Sequence, residues 1–392
     1  TEIYTLSLHD ALPILSAGLE ELMGNPSWRP TFRVPAVVSL VGGLLCGKMM
    51  FMINPGATFV GLAFVALVYY GLKRRAMRAR WGDMRMAVLM FGARLLLRRL
   101  SARLPGERNW RPSLLVLAGA PVRRWHLIEV ADAISRNRSL VTVALILPER
   151  VWSAERAERL RVLIRRQLEK KGIEMHVRAH PGEDHWSGIR ELVRAYGYGP
   201  LTPNTVLLGV SDKAEAAVPF AGVVQLIARS RRNLIVVKEG GPGNVPARPP
   251  RIDVWWRGRT PNVAFMLALA CLVRRSPGWA GARLTLRQVV DRREGQEEAR
   301  RALARYLSDA RVQAEIEVLV RDGQPGFDQI VASSRDASLV FLGLRKPEEG
   351  ESDEAYAQYY RAFLSGAAPL PLTVMAMAAE AVDFRGIFKA EA

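Results

Sequence analysis

Cysteine is nearly absent: Cys46 and Cys271 are the only two in 392 residues, one in an apolar hairpin and one in a later apolar helix. Neither a disulfide framework nor a thiolate metal site can be assembled from them. Nucleotide fingerprints are missing as well. No Gly-x-Gly-x-x-Gly stands between a strand and a helix, and no Gly-x4-Gly-Lys-Ser/Thr occurs anywhere. The chain also lacks Gly-x-Ser-x-Gly, His-Glu-x-x-His and any paired Cys/His nucleophile arrangement, so it reads as a non-enzyme. Acidic residues are in deficit, 38 against 56 Lys and Arg, for a net charge of +18. Such a surplus invites nucleic-acid binding, yet no zinc-finger, helix-turn-helix or RNA-binding signature accompanies it. The densest basic run, Lys73 to Arg103, directly follows an apolar segment, where acidic lipid headgroups would sit. A bilayer is the expected partner, and nucleic acid is not.

What is present is an apolar hairpin from Val34 to Leu72. Its first arm runs about 20 residues, the length at which a helix crosses a hydrocarbon core of roughly 30 Å. The second arm is shorter, about 16 to 18 residues, and ends near Tyr69 and Tyr70, which suit a headgroup interface. Asn54-Pro55-Gly56 supplies turn chemistry between them. Arg29 and Arg33 precede the first arm, and Lys73, Arg74, Arg75, Arg78 and Arg80 follow the second. By the positive-inside rule both ends face the cytoplasm, so everything after Leu72 is expected to be cytoplasmic and the protein to sit in the cell membrane. Lys48 lies inside the first arm, about a turn and a half (roughly 9 Å) from the tip. It can snorkel to the interface or contact a partner helix or transport path.

Residues 1–15, TEIYTLSLHDALPIL, lack an initiator methionine, a basic n-region and a sustained apolar core, so they are not a signal peptide. They resemble a translated sequencing-adapter artefact, and the chain is expected to be a fragment whose upstream part is missing. A turn-rich loop, GNPSWRPTFR, precedes the hairpin. After it, Trp81 to Arg103 reads as one amphipathic helix with Arg94, Arg98 and Arg99 off its apolar faces, lying on the inner membrane surface or coupling the hairpin to the downstream part of the chain.

From Pro112 the pattern changes to short Val/Ile/Leu strands alternating with amphipathic helices, which implies a parallel, doubly wound sheet covered on both faces. Beyond the linker GGPGNVPARPP the order recurs, with TVLLGVSDK echoed by LVFLGLRKP and GIEMHV by AEIEVLV. Two copies of one five-stranded unit are expected. The expected division is a foreign segment over 1–15, a pre-membrane loop over 16–33 and the hairpin over 34–72. A basic linker helix over 73–105 comes next, then a first α/β repeat over 106–240, a linker over 241–250 and a second repeat over 251–392.

Candidate chemistry is sparse. His176, His180 and His185 cluster in HVRAHPGEDH, and the first two share one strand face, which allows a zinc site; the plainer reading is a strand ending in a solvated Pro-Gly turn. Gly119-Ala120-Pro121 with Arg123 and Arg124 places a strand end before a helix N-terminus, an arrangement that can hold an anion or the phosphates of ATP. Asp253, beside Trp255 and Trp256, is either catalytic or a bridge to an arginine.

At these residues the chain resembles a known family. GNPSWRPTFR, the hairpin ending MMFMINP and RWGDMRM resemble the last membrane helices and exit of cation–chloride cotransporters. RNWRPSLLVLAGAP, YGYGPLTPNTVLLG, NLIVVKE and RIDVWWRGR resemble their cytoplasmic C-terminal domain, in its bacterial version. The resemblance spans about Ser16 to Pro347. It implies a homodimeric symporter of chloride with potassium or sodium, on a membrane core of the amino-acid-permease type, with tandem cytoplasmic domains similar to universal stress proteins. The family's ion-binding residues belong to earlier membrane helices, so no ion ligand is carried over. RGRTPN after IDVWW departs from the commoner acidic and glycine version. The rival reading is a membrane-anchored sensor that binds a nucleotide or protein partner. An amino-acid permease is a third reading, but it does not account for IDVWW or the tandem module.

Overall fold

The computed structural model describes residues 13–19, 34–74, 81–102, 110–119, 124–136, 138–211, 213–241, 249–257, 261–321, 323 and 326–379. The chain forms two units, Thr1–Leu104 and Pro105–Ala392.

In the first unit, α1 (13–19) packs on α2 (Ala36–Ile53), followed by α3 (Pro55–Arg74) and α4 (Trp81–Ser101). Gly43 of α2 lies so close to Leu15 that an added Cβ would collide with it, and Ser39 faces Gly18. Small residues here let two helices approach closely. The turn of the hairpin is tighter than Asn-Pro-Gly suggests. Asn54 alone is non-helical; its Oδ1 accepts from Ala57 N–H at 3.0 Å, and Pro55 opens α3. Pro fits there because the first helical N–H needs no partner. The Thr58 hydroxyl donates to the Met50 and Asn54 carbonyls at 3.0 and 2.9 Å, and Phe51 and Phe59 meet edge to face. Ala36–Ile53 is the one described helix long and apolar enough to cross a membrane; the apolar part of α3, Pro55–Val68, is shorter. Large apolar side chains cover the outside of both arms, Val37 and Val60 being 69% and 70% exposed.

In the second unit the chain alternates strand and helix twice through the same order. The first half comprises β1 (Leu114–Leu117), α5 (Trp125–Ser135), β2 (Val141–Pro148), α6 (Ala154–Lys170), β3 (His176–Gly182), α7 (His185–Ala195), β4 (Thr205–Gly209), α8 (Ala217–Arg229) and β5 (Asn233–Lys238). The second comprises β6 (Arg251–Trp256), α9 (Pro261–Arg274), β7 (Arg283–Val290), α10 (Gln296–Asp309), β8 (Glu315–Val320), α11 (Gly326–Ser334), β9 (Leu339–Gly343), α12 (Asp353–Ala367) and β10 (Thr373–Met377). Central strands such as β1 and β10 are buried throughout, which explains their unbroken apolar runs.

The strands form one ten-stranded sheet in the order β3-β2-β1-β4-β5-β10-β9-β6-β7-β8. Each half is a 3-2-1-4-5 parallel unit, and the halves join where β5 and β10 pair antiparallel, Val236 opposite Met375. The doubly wound α/β expectation holds, and the duplication it foresaw is visible as a repeated strand order. The two repeats share one continuous sheet. On one face α5, α9 and α10 bury a single core running from Leu114 to Val374; on the other, α7, α8 and α12 bury a second from Leu115 to Met377.

One local reading needs correction. The segment after His176 does not end before a Pro-Gly turn, because Pro181 and Gly182 pair with Leu147 and Pro148 inside β3. β3 lies at the sheet edge, where a strand can carry a residue with no N–H to donate.

Candidate functional site

In a doubly wound sheet, ligands bind beyond the carboxyl ends of the strands where the strand order reverses. In the first half that point lies between β1 and β4. Gly119 follows β1 with φ +65°, a left-handed conformation that glycine adopts without steric cost, and the position of its missing Cβ is 3.8 Å from His185 Cε1. Arg124 immediately precedes α5. A Cβ on Gly209, at the end of β4, would stand 3.2 Å from Arg124 Nη1 and 3.0 Å from Leu127 Cδ1, so glycine there admits the guanidinium. His185 opens α7. That helix start is fixed by Asp184, whose Oδ1 accepts from Trp186 and Ser187 N–H at 2.7 and 3.1 Å while the Ser187 hydroxyl donates to its backbone carbonyl at 2.9 Å.

Gly119, Arg124, His185 and Gly209 are thus brought together; Arg123 lies outside the described residues. His126, on the first turn of α5, places Nδ1 3.6 Å from Glu239 Oε2. Burial lowers the His126 pKa; Glu239 opposes that, and Arg124 lowers it further. Burial also lowers the His185 pKa, again aided by Arg124. The Arg124 guanidinium is the fixed cation here, and it favours an anion over a metal cation; the two histidines, held toward neutrality, add no charge to it.

The second half fills the equivalent position with its own side chain. Asn262, at the start of α9, donates Nδ2–H to the Leu344 carbonyl at 2.7 Å and accepts from Ala378 N–H at 2.7 Å. This amide ties the ends of β9 and β10 together, in the space next to Gly343. Sequence reasoning missed it, since one asparagine at a helix start carries no pattern. Nearby, Arg345 is bidentate to Glu351 and stacks over Tyr359 at 4.3 Å.

The histidines do not converge. His180 Nε2 lies 2.9 Å from Glu191 Oε2, while His185 faces Gly119. Asp253 is fully buried, 3.1 Å from both Arg251 Nε and Arg287 Nε, and accepts from the Ser334 hydroxyl at 2.8 Å. Trp255 Nε1–H donates to the same Ser334 oxygen at 3.0 Å, and Arg287 continues to Glu317 at 2.8 Å. Burial raises the Asp253 pKa, against the two guanidiniums and the Ser334 bond, which lower it. The bridging reading fits this geometry: the carboxylate ties β6 to β7 and α11. Asn204 does comparable work, accepting from Ser113 N–H and donating to the Arg111 carbonyl, both at 2.9 Å, to fix the chain entering β1. Arg94, Arg98 and Arg99 are exposed on α4 in the first unit.

Fold and site together define a doubled α/β unit in a chain that also carries an apolar hairpin. No family model matches the chain. Among solved structures, the cytoplasmic domain of a prokaryotic cation chloride cotransporter is 15% identical, with a TM-score of 0.52 over 71% of this chain and 100% of that one. A universal stress protein from Archaeoglobus fulgidus is 11% identical, with a TM-score of 0.45 over 69% of this chain and 98% of that one. The first likeness places the second unit in that fold; at such identity it speaks for fold alone.

Proposed function

We propose that the chain is the C-terminal part of a multi-pass secondary active transporter of the cation–chloride cotransporter kind, which symports chloride with potassium or sodium. This part is non-catalytic. It supplies the final membrane helices, the homodimer contact and a cytoplasmic regulatory module, with the transported ions bound on helices upstream. The carrying observation is the pairing of an apolar hairpin with a ten-stranded doubled sheet whose fold covers the whole of a cotransporter cytoplasmic domain. The family-like segments support the same reading. The test is flux of radiolabelled chloride into proteoliposomes. A chain completed with its upstream helices should take up chloride in a potassium- or sodium-dependent way, and residues 16–392 alone should not. Flux from the short chain, or none from the completed one, would overturn the reading.

A second reading, a membrane-anchored sensor, is favoured by the meeting of Arg124 with Gly209 beside Gly119. Saturable ATP binding that is lost in Arg124→Ala would support it.

A further inference from the structure

A cavity of about 380 Å³ lies away from that switch point, beyond the amino ends of β1, β2 and β8, where the C-terminal ends of α5, α9 and α10 meet. Six arginines line it: Arg111, Arg136, Arg138, Arg274, Arg275 and Arg311. No Asp or Glu lines it, and none of the six is ion-paired among the described residues. Trp110 and Leu272 form an apolar wall, with Trp110 held edge to face against Phe265 at 5.9 Å.

Bonds to loop carbonyls account for part of this charge. Arg111 and Arg274 each donate to a backbone carbonyl, of Arg138 at 3.3 Å and Gln313 at 2.7 Å. Three helix C-termini carry about −0.5 each, roughly −1.5 in all against six positive charges. The excess repels itself and has no carboxylate partner among the described residues.

The backbone supplies an independent observation. Arg136 and Arg311 follow their helices with φ of +49° and +51°, where glycine is the unstrained residue. α6 and α10 occupy equivalent places in the two halves and end with the same bond pattern. In α6, Gly172 and Ile173 donate back to Glu169 and Leu168; in α10, Arg311 and Val312 donate back to Ser308 and Leu307. The first half uses glycine, with φ +69° and nothing within 4 Å of its absent Cβ. The second half carries an arginine in that left-handed turn, at the cavity.

We propose that this cavity binds a small multivalent phosphate anion, either a soluble polyphosphate or the headgroup of an acidic lipid. It is separate from the Gly119–Arg124 site and does not depend on the transporter reading. The full chain in phosphatidylcholine nanodiscs should bind tripolyphosphate saturably, with salt-weakened affinity. Arg136→Gly with Arg311→Gly should lose affinity at least about tenfold, since bonds to charged groups are removed, yet melt no earlier, since glycine relaxes both backbones. Arg231→Gly is the control: it has the same left-handed strain at φ +53° but lies outside the cavity, and it should leave affinity unchanged. Nanodiscs containing phosphatidic acid separate the two sources. If that lipid raises the melting temperature of the wild type and not of the paired variant, a headgroup is the occupant; if only tripolyphosphate does so, the occupant is soluble. Absence of both effects, wild-type affinity in the paired variant, or equal loss in Arg231→Gly would overturn the proposal.

Discussion

The side chains at the carboxyl ends of β1, β4 and β5 make folding itself sensitive to pH. His126 and His185 both have pKa values lowered in the folded state, by burial first and by Arg124 as well, against Glu239, Glu129 and Asp184. The native state therefore binds protons less readily than the unfolded chain, in which histidine titrates near about 6.5. Their contribution to stability is present above that value and is lost as pH falls through the depressed native values. The expected result is a melting temperature that drops on acidification below about 6.5, with a shallower drop in a His126→Gln, His185→Gln double variant. Identical pH profiles for the two proteins would contradict this account. Asp253 shows how a residue that looks reactive can be structural: two guanidiniums and the Ser334 hydroxyl converge on a carboxylate with no exposed surface. Its motif, IDVWW, marks a tie between elements.

At the scale of elements, α4 is the unusual one. Met86, Leu89, Leu96 and Leu100 are exposed on a helix that also presents Arg94, Arg98 and Arg99. Apolar and basic surface together on one helix suit a position in the plane of a membrane interface. Basic residues near an acidic leaflet contribute about 1 kcal/mol each, so in residues 81–392, without the hairpin, replacing all three by Gln should weaken binding to acidic vesicles by roughly 100-fold or more. Circular dichroism of the variant should be unchanged, because these side chains are exposed. Loss of folded structure would show the arginines to be structural instead. The hairpin tip makes a similar point about elements: one asparagine followed by Pro55 closes the turn, since its side chain and backbone satisfy the free helix-end groups that a longer loop would leave to solvent.

For the second unit as a whole, the seam between β5 and β10 governs behaviour. Each face of the sheet carries a core to which both halves contribute, Leu114 with Leu286 on one and Val206 with Met375 on the other. Two halves that bury each other's surface should unfold together. Leu286→Ala, at a fully buried position in β7, should cost about 2–5 kcal/mol. In differential scanning calorimetry of the full chain it should move the whole α/β transition downward. A transition that splits, leaving the first half at its original temperature, would mean the halves are independent.

The sequence alone determined the alternation of strands and helices, the duplicated order and the apolar hairpin, because these depend on local periodicity and segment length. It also brought out Gly119 and Arg124, since a strand end before a helix is a local arrangement. Only the tertiary structure decided the rest. Strand periodicity says which residues are buried but not which edge meets which, so the antiparallel join of β5 to β10 was not legible. Asn262 gained its role from carbonyl and amide groups 82 and 116 residues away. The arginine cavity draws on three separated stretches, 110–139, 268–275 and 310–312, none of which is a motif by itself. Their convergence follows from long-range strand order, and that order is set when two buried faces find each other.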